Sequence, residues 1–330
     1  MFWRYGKIVV WIALSILLLY GLGRLYYKVT GGFMVGNISY ELPYDPRFDT
    51  HSLSLIEKEQ IGKILEQNFY YLGKGCQSYV FASEDGQYVI KFFKYQRFRP
   101  QFWLNYLTFI PGVDSYLLQK VEKKRQKLES VFTSWKIAYE HLQKETGVVF
   151  IHLNKSSHLK APLHIYDKMG FLHVLSSDNF EFLIQKKAKM ICANLKEMRS
   201  KGKLEERRKI IDNLLNMFVD EYRRGFADND HALMQNTGVL NGYPIHIDVG
   251  QFVTNKKVQN PEIYHQEIFN KTWKFRKWLE KEDPELATYL VSRLKDILGE
   301  KEFASFKPRL NKASMGIISQ EEGIFSLNHL

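Results

Sequence analysis

The sequence is short of cysteine. Its 330 residues hold two, Cys76 and Cys192, far apart and without metal-ligand spacing. This argues against a disulfide framework and for a reducing compartment. Acidic residues are in deficit: 36 Asp and Glu stand against 47 Lys and Arg, a net charge of +11. Such a balance suits an anionic partner, a nucleotide or an acidic lipid surface, as well as a merely solvated basic face. No basic recognition helix or stacking-aromatic motif accompanies the charge, so no nucleic acid is expected. Internal repeats and low-complexity tracts are lacking too. What remains is ordinary for a folded protein, 45% hydrophobic and 25% charged. The length allows one two-lobed domain or two small ones.

One long, strongly apolar stretch lacks charge altogether, residues 8–23, with Arg4 and Lys7 before it and Arg24 and Lys28 after it. It falls slightly below the length of about 20 residues that a full span needs. Tyr20, Tyr26 and Tyr27 can lengthen it at the membrane interface. No small-x-small cleavage site ends the run, so an uncleaved anchor over residues 1–30 is expected rather than a signal peptide. Positive charge on both flanks leaves the orientation open.

Residues 31–67 read as a linker and a short helix. Residues 70–93 alternate as strands should, with a Glu84-Asp85-Gly86 turn between two β-rich runs. Residues 94–112 mix basic and aromatic side chains, among them Lys94, Arg97, Phe102, Trp103 and Phe109. Apolar positions Leu128, Val131, Phe132, Trp135 and Tyr139 recur at helical spacing within a long helix expected over 115–145. Four strand-like runs follow, at 148–153, 163–166, 171–175 and 180–185. The rest is mostly helix, over 204–224, 262–280 and 285–298. Strands, helix, strands, then helices is an α+β order, not a βαβ alternation.

Chemistry concentrates at residues 225–252. Asp228, Asp230 and Asn236 crowd one loop; a hairpin-like stretch follows; then Ile245 to Val249 carries Asp248 just before Gly250. An acid in a β-run is disfavoured unless it is paired. A hard cation such as Mg²⁺ is a natural partner, because it takes carboxylate and amide oxygens. Upstream, Gly73, Gly75 and Ser78 sit in a turn between strand signals, where backbone N–H groups can approach phosphate oxygens. Lys91 follows on the next strand, flanked by Val89, Ile90, Phe92 and Phe93.

This order resembles the protein-kinase-like superfamily, and His246-Ile247-Asp248-Val249-Gly250 is most similar to the metal motif of its phosphatidylinositol-kinase branch. The resemblance covers about residues 68–252. It implies a two-lobed fold, with residues 68–187 as the N-lobe and 188–330 as a helical C-lobe, and ATP with Mg²⁺ as cofactors. On that basis Lys91 holds phosphates under the loop of Gly73, Gly75 and Ser78, and Glu129 (or Glu140) pairs with Lys91. The hinge, Gln185 to Lys187, would meet the adenine edge. Asn236 and Asp248 would hold the metal, and Asp230 or Asp228 would take the acceptor proton. Five residues separate Asp230 from Asn236, against four in the protein-kinase pattern. His231 and His246 read as structural hydrogen-bonders. The next helix begins within about a dozen residues of Asp248, which leaves little platform for a peptide and favours a lipid, sugar or other small acceptor. The expected protein is a single-pass, membrane-anchored phosphotransferase whose kinase-like domain faces the cytoplasm. The alternative is a pseudokinase scaffold.

Overall fold

A computed structural model describes residues 2–51, 53–99, 106 and 112–308. The first helices are α1 (Phe2–Thr30), α2 (Val35–Ile38) and α3 (Leu55–Leu65). Strands β1 (Asn68–Lys74), β2 (Ser78–Ser83) and β3 (Tyr88–Phe93) follow, then helices α4 (Val113–His141) and α5 (Gln143–Thr146). Next are β4 (Val148–His152), β5 (Pro162–Tyr166), β6 (Leu172–Ser176), β7 (Phe182–Lys186) and β8 (Lys189–Met190). The remainder is α6 (Ile191–Ser200), α7 (Leu204–Arg223), β9 (Phe226–Asp228), α8 (Leu233–Asn236), β10 (Thr237–Leu240), β11 (Tyr243–His246) and β12 (Phe252–Thr254), closed by α9 (Pro261–Glu282), α10 (Pro284–Leu298) and α11 (Glu300–Ser305).

Two compact units share these elements. The first is Met1–Lys124 with His152–Ile184; the second is Arg125–Ile151 with Gln185–Leu330. The chain last leaves the first unit at Ile184, three residues before the lobe boundary read from the sequence. Most of α4 belongs to the second unit, although only β1, β2 and β3 precede it.

The first unit is built on a sheet with strand order β7-β3-β2-β1-β5-β6. Period-two alternation decides what it buries: Tyr79, Phe81 and Ser83 of β2 point inward while their neighbours are half-buried. The β2–β3 turn forms at Glu84–Gly86. There Asp85 accepts from Ser83 Oγ at 2.6 Å and from the Gln87 N–H at 2.9 Å, and Gly86 takes φ 69°. A capping box between Ser54 and Glu57 starts α3.

Within α1, Tyr5–Thr30 is long and apolar enough to cross a membrane, with a mean hydropathy of 2.1. It outruns the uncharged stretch because Leu25, Tyr26, Tyr27 and Val29 carry the apolar surface past Arg24 and Lys28. Just beyond it Phe33 is buried, its ring 5.4 Å from Tyr79 and 5.0 Å from Phe81. In the basic–aromatic segment, Lys94, Tyr95 and Phe98 are buried, whereas Gln96 and Arg97 are exposed. Tyr95 donates to the buried Glu181 at 2.7 Å. Phe102, Trp103 and Phe109 lie outside the described residues.

The second unit is helical. Ile210, Ile211, Leu214, Leu215 and Phe218 of α7 pack with Ile268, Phe275 and Leu279 of α9 and Leu286, Leu290 and Leu294 of α10. The spacing of three and four residues keeps each set on one stripe. Asn260 and Asp283 cap α9 and α10, each followed by proline at the first helical position. Asp283 also forms a buried ion pair with Arg207. Helix α6 escaped the sequence reading because only Ile191 and Leu195 of its ten residues are buried, too few to mark a period.

Candidate functional site

Helix α7 delivers the chain to the acidic stretch through Gly225, whose φ of 83° lies in the left-handed region that glycine adopts freely. β9 follows and pairs antiparallel with β12, Asp228 facing Phe252. Between them, β10 and β11 form a hairpin turning at Asn241 and Gly242, both at positive φ, as a two-residue turn of the I′ kind requires. The pairing brings two loops together at the hairpin base, residues 229–236 and 247–251. Ile247 N–H donates to the Asn236 carbonyl at 2.8 Å, and Asn229 N–H to the Gln251 carbonyl at 3.1 Å. The Gln251 amide donates to Asp230 at 3.1 Å. Asp230, Asn236 and the residue before Asp248 are thus gathered by backbone geometry.

A fastener comes from α4. The Ser134 hydroxyl, wholly buried, donates to the Val249 carbonyl at 2.6 Å and accepts from Phe252 N–H at 2.6 Å. It grips both ends of the turn after Asp248. Sequence reasoning passed over Ser134; the available signal was a hydroxyl in an apolar helical stripe between Val131 and Trp135.

Below the loops lies a buried charged cluster. Lys271 of α9 contacts Asp228 at 2.9 Å, and His246 lies 2.8 Å from Glu221 and 3.7 Å from Asp228. All four side chains are almost fully enclosed. Burial alone would oppose ionisation of Asp228, but the Lys271 ammonium and His246 hold its carboxyl below the usual range. Asp228 also accepts from the Asp230 N–H at 3.0 Å. It props the loop from beneath. His231 contacts Glu267 at 2.8 Å, so both histidines act through hydrogen bonds to acids.

Asp230 is half-buried. One of its oxygens accepts from Ala232 N–H at 2.8 Å, the other from Gln251. Asp248 differs from the expectation of a buried acid in a strand. It is exposed, two residues past the end of β11, and accepts from Gly250 N–H at 3.2 Å. The strand stops before the charge, which removes the penalty the sequence suggested. The Asn236 amide nitrogen is buried with no hydrogen-bond partner. Among the described residues no group of three or more His, Cys, Asp and Glu could hold a metal ion.

In the first unit the glycine-containing turn joins β1 to β2. Gly75 N–H donates to the Ser78 carbonyl at 2.9 Å. The Lys94 ammonium donates to the Gly75 carbonyl, and Lys94 N–H to the Gln77 carbonyl at 2.8 Å. Burial, with Lys74 and Arg97 nearby, brings the Lys94 pKa down to about 8. Lys91 is 8% exposed, opposite Val80, on a strand buried through five successive residues. A plain surface lysine is therefore excluded. A Cβ on Gly73 would meet nothing within 4 Å, and one on Gly75 only Ser78 Oγ at 3.8 Å. Packing does not demand these glycines. Gly75→Ala should accordingly leave stability within about 0.5 kcal/mol, yet weaken nucleotide binding if phosphates approach this backbone. Equal losses of stability and affinity would assign the glycine to the fold instead.

The other expected site residues sit in the second unit. Glu129 contacts Arg125 at 2.5 Å, and Glu140 lies 3.6 Å from Lys136. The Gln185 side chain is buried, donating to the Thr146 carbonyl and, at 2.8 Å, to the His246 carbonyl. Lys186 N–H donates to the Gly147 carbonyl at 2.8 Å, and Lys187 is half-buried.

No protein-family model and no curated protein matches the chain. Solved structures that align with it include a high-resolution structure of WbdD, at 15% identity and a TM-score of 0.34 over 74% of this chain and 48% of that one. A second structure, described as the bifunctional kinase-methyltransferase WbdD, aligns at 15% identity and 0.31 over 74% and 47%. A ternary complex of streptomycin, ATP and APH(2")-IIa aligns at 14% identity and 0.27 over 77% and 93%. The chain thus spans about half the length of the WbdD structures. Likenesses of this size leave fold and chemistry to be read from the chain's own residues.

Proposed function

We propose that the chain is a membrane-anchored, kinase-like phosphotransferase that moves the γ-phosphate of ATP to a lipid, sugar or other small acceptor. One observation carries the reading: the β9–β12 ladder, the β10–β11 hairpin and the Ile247–Asn236 and Asn229–Gln251 backbone hydrogen bonds draw together, within one unit, the loops that carry Asp230, Asn236 and Asp248. The donor set suits Mg²⁺, which binds through one or two protein oxygens with phosphate and water completing its shell. The buried, unpartnered Asn236 amide nitrogen is a donor, so it supports a hydrogen-bond acceptor such as a phosphate oxygen beside the ion rather than the ion itself. Asn236 and Asp248 would hold the ion, and when bound it would neutralise charge on the transferred phosphoryl group.

Each remaining role falls to the chain itself. Lys91, enclosed on β3, supplies a fixed positive charge for phosphate oxygens. Gly73, Gly75 and Ser78 offer backbone N–H groups for the same purpose. Asp230 keeps lone pairs beyond its two hydrogen bonds and takes the acceptor proton. Asp228, enclosed beside Lys271, orients the loop rather than reaching an acceptor. The backbone of Gln185 to Lys187 would meet the adenine. The short path from Gly250 through β12 to α9 supports a small acceptor, and α1, long and apolar enough to span a bilayer, would hold the chain at one. A scaffold reading gains support from one contact, the Gln251 amide on Asp230, which a base must share.

Transfer of label from γ-labelled ATP tests the proposal. Full-length protein in detergent, with Mg²⁺ and a mixture of membrane lipids and sugars, should label an acceptor or release phosphate. Lys91→Met should bring either activity to background. Bound ATP without turnover in any mixture would establish the scaffold, and absence of ATP binding would overturn both readings.

A further inference from the structure

The C-terminal end of α1 shares a cavity with the body of the first unit. It is about 460 Å³ in volume, and Arg24, Lys28, Lys74 and Lys168 line it together with Tyr27 and Tyr71. No aspartate or glutamate is among its lining residues. The acid nearest in sequence, Asp167, is engaged within its own hairpin, accepting from Met169 N–H at 2.8 Å and Phe171 N–H at 3.0 Å and lying 3.0 Å from His173.

Two of the four cations have a structural task. The Lys74 ammonium donates to the Gly31 carbonyl at 2.6 Å and lies 3.6 Å from the Tyr27 ring centre. The Lys168 ammonium donates to the Lys28 carbonyl at 2.8 Å. Both satisfy carbonyls at the end of α1, as cations at a helix C-terminus do. Capping accounts for those two. It accounts neither for Arg24 and Lys28, which bring further positive charge to the same opening, nor for a cavity free of acids. Beside Lys168, the hairpin tip carries Met169 at 50% and Phe171 at 61% exposure. Basic side chains with exposed apolar ones, where a helix able to span a bilayer ends, match the headgroup layer.

We propose that this cavity binds the phosphate of an anionic phospholipid headgroup in the leaflet where α1 ends, with Met169 and Phe171 entering the acyl boundary beside it. The inference rests on the reading of α1 as a membrane anchor and is independent of catalysis. Arg24 and Lys28 supply charge from the helix, Lys74 and Lys168 charge from the body, and the Tyr27 and Tyr71 hydroxyls can donate to headgroup oxygens. Occupancy would fix the body against the bilayer.

The test uses the full chain in nanodiscs of phosphatidylcholine, with and without phosphatidylglycerol. The readouts are the ratio of the two lipids retained after extraction and the thermal midpoint. Enrichment of phosphatidylglycerol is expected. Each cation near an anionic surface is worth about fivefold in affinity, so Arg24→Gln/Lys28→Gln should cut the enrichment about 25-fold. Lys74→Gln/Lys168→Gln should do the same, and because those residues lie outside α1 it excludes an altered insertion. The charge-matched control Lys58→Gln/Lys63→Gln on α3 should retain enrichment. Stabilisation by inorganic phosphate equal to that by phosphatidylglycerol would replace the lipid with a free anion and overturn the proposal. Protein that resists alkaline extraction from membranes yet shows no lipid preference overturns the headgroup site alone. Protein released by that extraction overturns the anchor, and the site with it.

Discussion

Asp248→Asn should lower Mg²⁺-dependent turnover by about 10²–10³-fold, the loss seen when one fixed electrostatic contact to a transition state is removed. The fold should survive. Asp248 is exposed, and asparagine keeps an oxygen for the Gly250 N–H that Asp248 accepts at 3.2 Å. The Ser134 grip on Val249 and Phe252 holds the turn whichever side chain stands at 248. A surface change of this kind shifts the thermal midpoint by about 1–2 °C. Kinetics and melting of the purified variant check both parts. Unaltered turnover, or unaltered stabilisation by Mg²⁺ with ATP, would remove Asp248 from the metal site.

Asp230→Ala and Asp228→Ala should fail in different ways. Asp230→Ala should reduce turnover by about 10²–10⁴-fold with little change in ATP affinity, because proton transfer acts in the transition state. Asp228→Ala should instead destabilise the protein by about 3–5 kcal/mol, since it leaves the Lys271 ammonium buried without its carboxylate. The acid limb of stability follows from the same residue. Its carboxyl titrates below the unfolded value in the folded protein, so its contribution is complete above about pH 4 and is lost as pH falls through the lower folded value. Asp228→Asn should therefore flatten the stability profile at acid pH. A stable Asp228→Ala enzyme with impaired turnover, beside an unimpaired Asp230→Ala, would exchange the two roles.

How much of this was legible in the sequence depended on the range of the interactions. Local signals were readable: the Glu84–Gly86 turn, the short helix before β1, the apolar stripe of α4 and the run of α1 all follow from neighbouring residues. The nearness of the acidic and amide residues in sequence was readable: Asp230 and Asn236 share one loop, and one hairpin separates Asn236 from Asp248. Their support was not. Ser134 lies 115 residues before Val249, and Lys271 lies 43 residues after Asp228; no local pattern announces either pairing. The place of Lys94 was not readable either: Tyr95 and Phe98 beside it are buried, and its ammonium donates to the Gly75 carbonyl, 19 residues earlier. The cavity at the end of α1 likewise joins residues from 24 to 168, and only folding brings their charges together.

The most direct measurement of the central claim is a calorimetric titration of ATP into the full-length protein in detergent, with Mg²⁺ and again with EDTA. The account predicts saturable binding with Mg²⁺ and an affinity lower by about tenfold or more in EDTA. It also predicts that Lys91→Met weakens binding under both conditions. Absence of binding under either, or an affinity indifferent to Mg²⁺ and to Lys91, would contradict it.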